Sequence, residues 1–451
     1  MQIIVSLMVD IPANADINEI EQRVQEAGRQ AMREATQQAV RAAEEQRKTC
    51  PHCGSEASRS EGTDQRIILT KFGRVALPLR RQRCQGCQRR FRPADECLKS
   101  LQGGNVTAAL REACSEAGAS FPDVTAAQVV NDLCGAQISP EHVRRLTNRT
   151  GSQEAVRQAA EAKAIVEPTA ALVRKQRAAQ VRQGARKKQE PPALLLVGLD
   201  GGWIKSREQK RGMEGKVGVI VSEMEAVGKR GRRRMTSRRY VATFEPASVL
   251  GRRSYAATCQ LQAQEAPTQV VVGDGADWIK TEADGHFPQA VKILDWSHLW
   301  RKIHAAIRAV RPGQSKPARE WRKGQYETLS PLLWQGQVDA ALAHLHALRP
   351  RANQESIDQL EEAITYVDNQ RDWIGNYQQW QEAGYPVGSG LVERGVAVVI
   401  NPRMKRRGMR WKRANATAVV ALRVRLLNAA WEKASAKRRG LPSPRFVVEP
   451  P

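Results

Sequence analysis

The sequence has no long hydrophobic run and is short of acid. No stretch approaches the ~18 uninterrupted apolar residues of a membrane span. The opening, MQIIVSLMVDIPANADINEIEQ, lacks the basic n-region and cleavage site of a secretory signal. The expectation is a cytoplasmic protein with no membrane partner. In that reducing compartment the eight cysteines are expected to be metal ligands or buried thiols rather than disulfides. The acid deficit is the larger signal: 47 Asp and Glu stand against 72 Lys and Arg, a net charge of +25 over 451 residues. That excess, spread along the chain, predicts a nucleic-acid partner, because each phosphate neutralised releases condensed counterions and supplies affinity without sequence reading. The length allows two to four domains.

Residues 17–48 are rich in Glu, Gln, Ala and Arg and predict a helix, with a thin apolar stripe suited to an oligomer contact or a solvated arm over 1–48. Then come two C-x-x-C pairs, Cys50 with Cys53 and Cys84 with Cys87, flanking the alternating stretch RIILTKFGRVALPLRRQRC. A hairpin between them brings four thiolates together, the tetrahedral set a structural Zn²⁺ takes at ~2.3 Å. The segment 49–100 therefore looks like a zinc ribbon, with Gly54 and Gly86 as knuckle-turn residues. Cys97, Cys114, Cys134 and Cys259 lack such spacing and are expected to be core thiols.

Residues 101–192 predict short helices ending in a basic linker. FPDVTAAQVVNDLCGAQISPEHVRRLTNRTG gives a helix, a turn, and a second helix capped by Ser139 with Pro140 at its first position. Arg144, Arg145 and Asn148 on that second helix are candidates for DNA contact in a helix-turn-helix arrangement. VRKQRAAQVRQGARKKQEPP closes this half as a basic linker.

From Ala193 the pattern changes. Apolar runs at ALLLVGLD, KVGVIVSEM and RRYVATFEP predict three strands; a helix follows, then TQVVVGDGA, another helix, and a strand in AVKILD that feeds a further helix. That order is the order of an RNase H-like domain, with its first part over 193–300. Asp200 and Asp274 fall at strand carboxyl ends, where α/β sheets carry their working residues. Helical patterns over 301–384 read as an all-helical insertion, whose tryptophans at 321, 334, 373 and 380 are expected in its core. Over 385–435 a last helix begins near YPVGSGLVE and brings Glu393 into reach of the sheet. Asp200, Asp274 and Glu393 form the carboxylate set that holds two Mg²⁺ (or Mn²⁺) ions for phosphodiester chemistry. After Glu393, one helix is expected to carry Arg394, Arg403, Lys405, Arg406, Arg407 and Arg410, with Trp411 among them, as phosphate contacts. A basic, proline-containing tail occupies 436–451. The fold class is thus a multi-domain α+β and α/β protein.

The motifs GLDGGWIKSR, GMEGKVGVI, VVVGDGADWI, ILDWSHLWRKI and VGSGLVERGVAVVINPRMKRRGMRW carry a resemblance. The segment 194–428 resembles the DDE transposases of bacterial insertion sequences, in the group related to Mutator-like elements and its Kra branch. The resemblance implies that Asp200, Asp274 and Glu393 are the catalytic acids, and gives Asp295 and His298 a D-x-x-H pattern that sets His298 beside the metals. It further implies Mg-dependent cleavage and joining of double-stranded DNA by a nucleoid-associated homo-oligomer. A catalytically silent DNA-binding regulator and a nuclease without strand transfer are the alternatives.

Overall fold

The computed structural model describes residues 3–101, 104–167, 190–227, 232–388 and 390–438. Most of the basic run expected as a linker over 173–192, and the tail from 439, lie outside the described residues. The protein is a mixed α/β chain with two sheets, and it divides into two compact units, Met1–Gly151 and Ser152–Pro451. The division comes earlier than the break expected at Ala193. Residues just after it already pack in the second unit: Gln158 Nε2 donates to the Ala421 carbonyl (3.0 Å).

The first unit runs α1 (Ile17–Gln46), β1 (Ser58–Thr70), β2 (Gly73–Cys84), β3 (Arg90–Phe91), α2 (Ala108–Ser120), α3 (Asp123–Cys134) and the start of α4 (Pro140–Val166). β1 and β2 form the expected hairpin, and β3 pairs with β2 only at Gln82 and Arg83. That leaves most of one β2 edge without a strand partner. Polar side chains of α1 satisfy it: Arg33 donates to the Phe72 carbonyl, Gln37 to Ala76, and the buried Glu44 accepts the Arg80 amide at 3.1 Å. The thin apolar stripe of α1 has this explanation, since the helix docks on a strand edge largely by hydrogen bonds. α2, α3 and α4 share a small core around Leu110, Cys114, Val130, Val143 and Leu146. α3 ends at Gly135 in the left-handed region (φ 67°). Both amide atoms of Asn131 then bond the backbone of Ile138, and Ser139 Oγ accepts the His142 amide.

The second unit is built on β4 (Leu194–Ile204), β5 (Met213–Val227), β6 (Arg232–Thr243), β7 (Thr268–Gly273) and β8 (Val291–Leu294) in the order β6-β5-β4-β7-β8. β5 is antiparallel to both neighbours, whereas β4, β7 and β8 run parallel. The parallel strands read as unbroken apolar runs because they are covered on both faces. α5 (Ala247–Gln260) links β6 to β7, and α6 (Asp277–His286) links β7 to β8. α7 (Trp296–Val310) follows β8, and α8 (Lys316–Trp334), α9 (Val338–Ala347), α10 (Gln354–Asn369) and α11 (Tyr377–Glu382) form the helical insertion. Its tryptophans serve the core: Trp373 is buried, and Trp321, Trp334 and Trp380 pack against the apolar cluster. α12 (Gly390–Val399), α13 (Asn401–Met404) and α14 (Arg413–Arg438) are the last elements among the described residues.

Candidate functional site

Asp274 and Asp295 directly follow β7 and β8, as a strand-end aspartate should, but Asp200 lies within β4, which stays paired to β5 through Ile204, so its expected strand-end position does not hold. The last paired residues are Gly198 with Val272, and Gly273 with Leu294. Carrying those registers one or two residues past the last pairs sets Asp200 beside Asp274 and Asp274 beside Asp295, all at one level. Side chains at one level of parallel strands point to the same face, so the sheet gathers three carboxylates along its edge. The Asp295 amide still donates to the Gly273 carbonyl (2.8 Å), which fixes the β8 end of that row.

Each aspartate is held by the backbone that follows it. Asp200 Oδ1 accepts the Gly201 amide at 2.7 Å, and Asp274 Oδ1 accepts the Ala276 amide at 3.0 Å. After Asp274 the chain turns at Gly275 (φ 83°), where an added Cβ would meet the Gln370 carboxamide at 2.6 Å. α10 clamps this turn from outside, with the Tyr366 hydroxyl donating to the Asp274 carbonyl (2.9 Å) and Gln370 Nε2 to that of Gly275 (2.8 Å). Asp295 is fully buried and caps α7, its Oδ1 accepting the Ser297 amide at 2.6 Å. Its Oδ2 lies 2.8 Å from His298 Nδ1. That bond fixes the imidazole and leaves Nε2 for other partners.

The fourth acid arrives on α12, across most of the unit's sequence. Two tight packings bring it in. A Cβ on Gly202 of β4 would meet Val396 at 2.7 Å, and one on Gly395 would meet Val219 at 2.5 Å, so α12 lies against the sheet only because these positions are glycine. Gly202 thus makes room for a helix. The Trp296 amide donates to the Val387 carbonyl (3.1 Å), tying the approach to α12 to the start of α7. At the other end of α12 the buried Arg423 of α14 donates to the Val398 carbonyl at 2.6 Å, a cation on the negative end of a helix. Glu393 is thereby brought to the Asp295–His298 pair, with ligand atoms of the three residues all within 4.8 Å of one another.

The electrostatics follow from this crowding. Burial pushes the Asp200 carboxyl up to about 6, the Gly201 amide opposes, the charge of Asp274 adds, His298 opposes and Glu393 adds. The hydrogen bond to Asp295 raises the His298 imidazole above its ordinary value, against burial. Beside the acids opens a cleft of about 740 Å³, lined by Asp274, His298, Arg301, Lys302, Tyr366 and Gln370 among others. The arrangement joins clustered carboxylates, an oriented imidazole and exposed cations at one mouth, a constellation suited to a hard divalent cation and an anionic ligand. Asp295 received no site role of its own from sequence beyond the D-x-x-H match. The signal was present: VGLD, VVGD and KILD each run an apolar strand into an aspartate.

The basic residues after Glu393 do not share one helix. α12 stops at Val399, and the chain passes through the short α13 and a turn before α14 begins. Arg394, Lys405, Arg406, Arg407 and Arg410 are exposed. Arg403 and Trp411 are not presented to a phosphate as expected: Arg403 is 3% exposed, with its guanidinium 4.9 Å from the Trp411 ring centre. Trp411 Nε1 donates to the Met404 carbonyl (3.2 Å), and its backbone pairs with Lys205 and Arg207. Both residues close the turn, because a long cation and an indole bury well against each other.

In the first unit the four cysteines do converge. Cys50 and Cys87 Sγ are 3.8 Å apart, and Cys53 and Cys84 Sγ 3.5 Å; all four lie within 4.8 Å of one another. Four thiolates at ~2.3 Å from one ion have sulfur–sulfur edges of ~3.8 Å, so the set fits a tetrahedral metal. The Cys87 amide bond holds the Cys84 thiol down to about 6, against burial and with help from the neighbouring thiols and the Gly86 amide. Gly54 has the left-handed backbone expected of a knuckle glycine, but in the second knuckle Gln88, not Gly86, takes that conformation. Arg144 and Arg145 are exposed on α4 and Asn148 is half-buried there. Arg144 forms an exposed pair with Glu141 at 2.6 Å, a contact worth ~1 kcal/mol at most.

Among the described residues, no helix is long and apolar enough to cross a membrane. No curated protein matches the sequence. Residues 14–439 match the Uncharacterised protein family (UPF0236), and the chain belongs to that family.

Proposed function

We propose that the chain is a DDE-type DNA transposase that cuts DNA strands and joins them to new sites. One observation carries the reading. Asp200 stands level with Asp274 across β4 and β7, the charges of Asp274 and Glu393 both act on it, and the Glu393 carboxylate lies within 4.8 Å of Asp295 and the oriented His298. The order β6-β5-β4-β7-β8, with β5 antiparallel, supports an RNase H-like core.

The site's chemistry fits divalent cations such as Mg²⁺ or Mn²⁺. Hard cations take oxygen ligands, and burial together with the charges of Asp274 and Glu393 raises the Asp200 carboxyl, a cost that positive charge relieves. When bound, two such ions supply charge to the phosphoryl oxygens and acidify the attacking hydroxyl. The reaction is an in-line substitution at phosphorus: a water oxygen, then the freed 3′ oxygen, forms the new P–O bond as the old one breaks. Asp200, Asp274 and Glu393 hold the cations. His298, fixed through Nδ1 by Asp295, presents Nε2 for a hydrogen bond to a phosphate or leaving oxygen. Arg301 and Lys302 line the cleft where the strand enters. In the first unit Cys50, Cys53, Cys84 and Cys87 hold a structural Zn²⁺, and the exposed face of α4 meets duplex DNA.

The test incubates labelled duplexes from the gene's flanks with purified chain, a target plasmid, and Mg²⁺ or Mn²⁺. Nicks and joined strands are expected, absent in Glu393→Gln. Nicks without joining identify a nuclease; tight binding with neither product identifies a regulator.

A further inference from the structure

The structure points away from the insertion for an aromatic that stacks on a base. Its tryptophans are committed to the core. Trp203, three residues after Asp200 on β4, is 56% exposed. An exposed apolar side chain alone means little, but this one has company. It lines a cleft of about 460 Å³ together with Lys205, Lys210, Arg211 and Arg410.

Among the described residues none of those four cations pairs with an acid, and two acids close by in sequence are otherwise engaged. Glu208 accepts the Arg413 amide at 3.0 Å, and Glu214 lies 3.3 Å from Lys216. The loop that carries the cations is pinned. Ser206 Oγ accepts the Glu208 amide at 2.9 Å and the Gln209 amide at 3.1 Å. Lys205 and Arg207 bond the Trp411 backbone on one side, and Gly212 turns back into β5 with φ 86°. A rigid frame thus holds unpaired cations around a free indole, and little ordering remains to be done when an anion binds.

We propose that Trp203 and the 205–212 loop form a subsite for one unpaired nucleotide of the DNA strand, its base on the indole and its flanking phosphates on Lys205, Lys210, Arg211 and Arg410. The proposal rests on DNA being the substrate. A strand rises ~3.3 Å per residue, which puts Trp203 about 10 Å along β4 from Asp200. That is about three steps of a B-form strand at ~3.4 Å each. Strand alternation turns Trp203 to the opposite face of β4 from Asp200, so the indole meets the strand beyond the acids rather than among them. Base–indole stacking is indifferent to base identity, and within a paired stack neither face of a base is free. The subsite therefore selects unpaired strand over duplex.

The full-length chain is titrated with a labelled twelve-nucleotide oligothymidylate, the matching duplex and an oligouridylate, over a salt series. Trp203→Leu is expected to weaken oligothymidylate binding about tenfold, Trp203→Phe less than threefold, and duplex binding less than twofold. Lys210→Ala with Arg211→Ala is expected to flatten the log K against log salt slope by about 1.4 for the single strand. Equal oligothymidylate affinity in wild type and Trp203→Leu, at unchanged melting temperature, overturns the proposal. Equal losses on duplex overturn it too, as does Trp203 dependence confined to oligouridylate. The cleavage assay separates this from the catalytic reading: a Trp203-dependent single-strand affinity with no cleavage under either metal leaves the subsite standing and removes the enzyme.

Discussion

The two clusters of ligand-type side chains in this protein are built in opposite ways. The four cysteines come from two knuckles at the ends of one hairpin and close on one another, with Cys50 and Cys84 buried. The acids come from within β4, from just after β7 and β8 and from α12, and a wide cleft opens beside them, lined by Asp274 and His298. A closed set with every position filled by protein suits a structural ion, whereas an open set leaves room for substrate. The closed set is local and needs only the hairpin. The open one exists only if a five-stranded sheet, a helical insertion and a late helix all find their places.

That contrast is sharpest under substitution. Asp200→Ala, Asp274→Ala and Glu393→Ala are each expected to reduce strand cleavage by a thousandfold or more, with zinc content unchanged, as measured by gel assay and metal analysis on the same preparations. Activity retained in Glu393→Ala would move the third acid elsewhere, with the buried Asp295 next in line. Cys84→Ser is expected to take the chain from about one zinc to none and to loosen the first unit, since the binding energy of a structural zinc is largely folding energy. Zinc-free wild-type protein, carefully prepared, would end the comparison at its first term.

Smaller changes probe how the open site is held. Gly395→Val forces α12 off β5, because even a single added carbon meets Val219 at 2.5 Å. The expected cost is ~1–3 kcal/mol, read by thermal melting, with cleavage reduced and zinc retained. A melt unchanged from wild type would mean that α12 is not seated as described. The smallest effect concerns a buried carboxylate outside either cluster. Burial raises the Glu44 carboxyl as it raises Asp200, opposed by the Arg80 amide. Because the folded value lies above the unfolded one, this contribution to stability is present at low pH and is lost as pH rises through the folded value. Glu44→Gln should therefore flatten the fall in melting temperature as pH rises above the ordinary glutamate value of about 4.3; an identical fall in both proteins would contradict the assignment.

Much of this was readable in one dimension. The C-x-x-C pairs, the hairpin between them and the Ser139 cap are short-range devices, fixed within a few residues by turn geometry and capping. The strands of the second sheet announced themselves as apolar runs, and the aspartates that follow those runs marked the site, although β4 goes on past its own. Trp-Ile-Lys occurs at 203–205 and again at 278–280, and the two copies show where such reading stops. At 203–205 the strand continues through Ile204 because β5 pairs with it, while after Gly275 the second copy begins α6. Identical triplets take different structures because a strand depends on hydrogen-bond partners supplied from elsewhere in the chain.

The late basic stretch makes the same point with side chains. In sequence Arg403 and Arg406 are equivalent cations, yet the fold stacks Arg403 on Trp411 and leaves Arg406 at the surface. Sequence alone determined the charge, the cysteine knuckles, the strand runs and which residues were chemically able to act, since these depend on residue type and near neighbours. Tertiary structure decided that Asp295 joins the row of acids, that Gly202 and Gly395 admit α12, and that Trp203 rather than an insertion tryptophan stays exposed. Those outcomes turn on register between strands distant in sequence and on ångström-scale packing, quantities that no local pattern encodes.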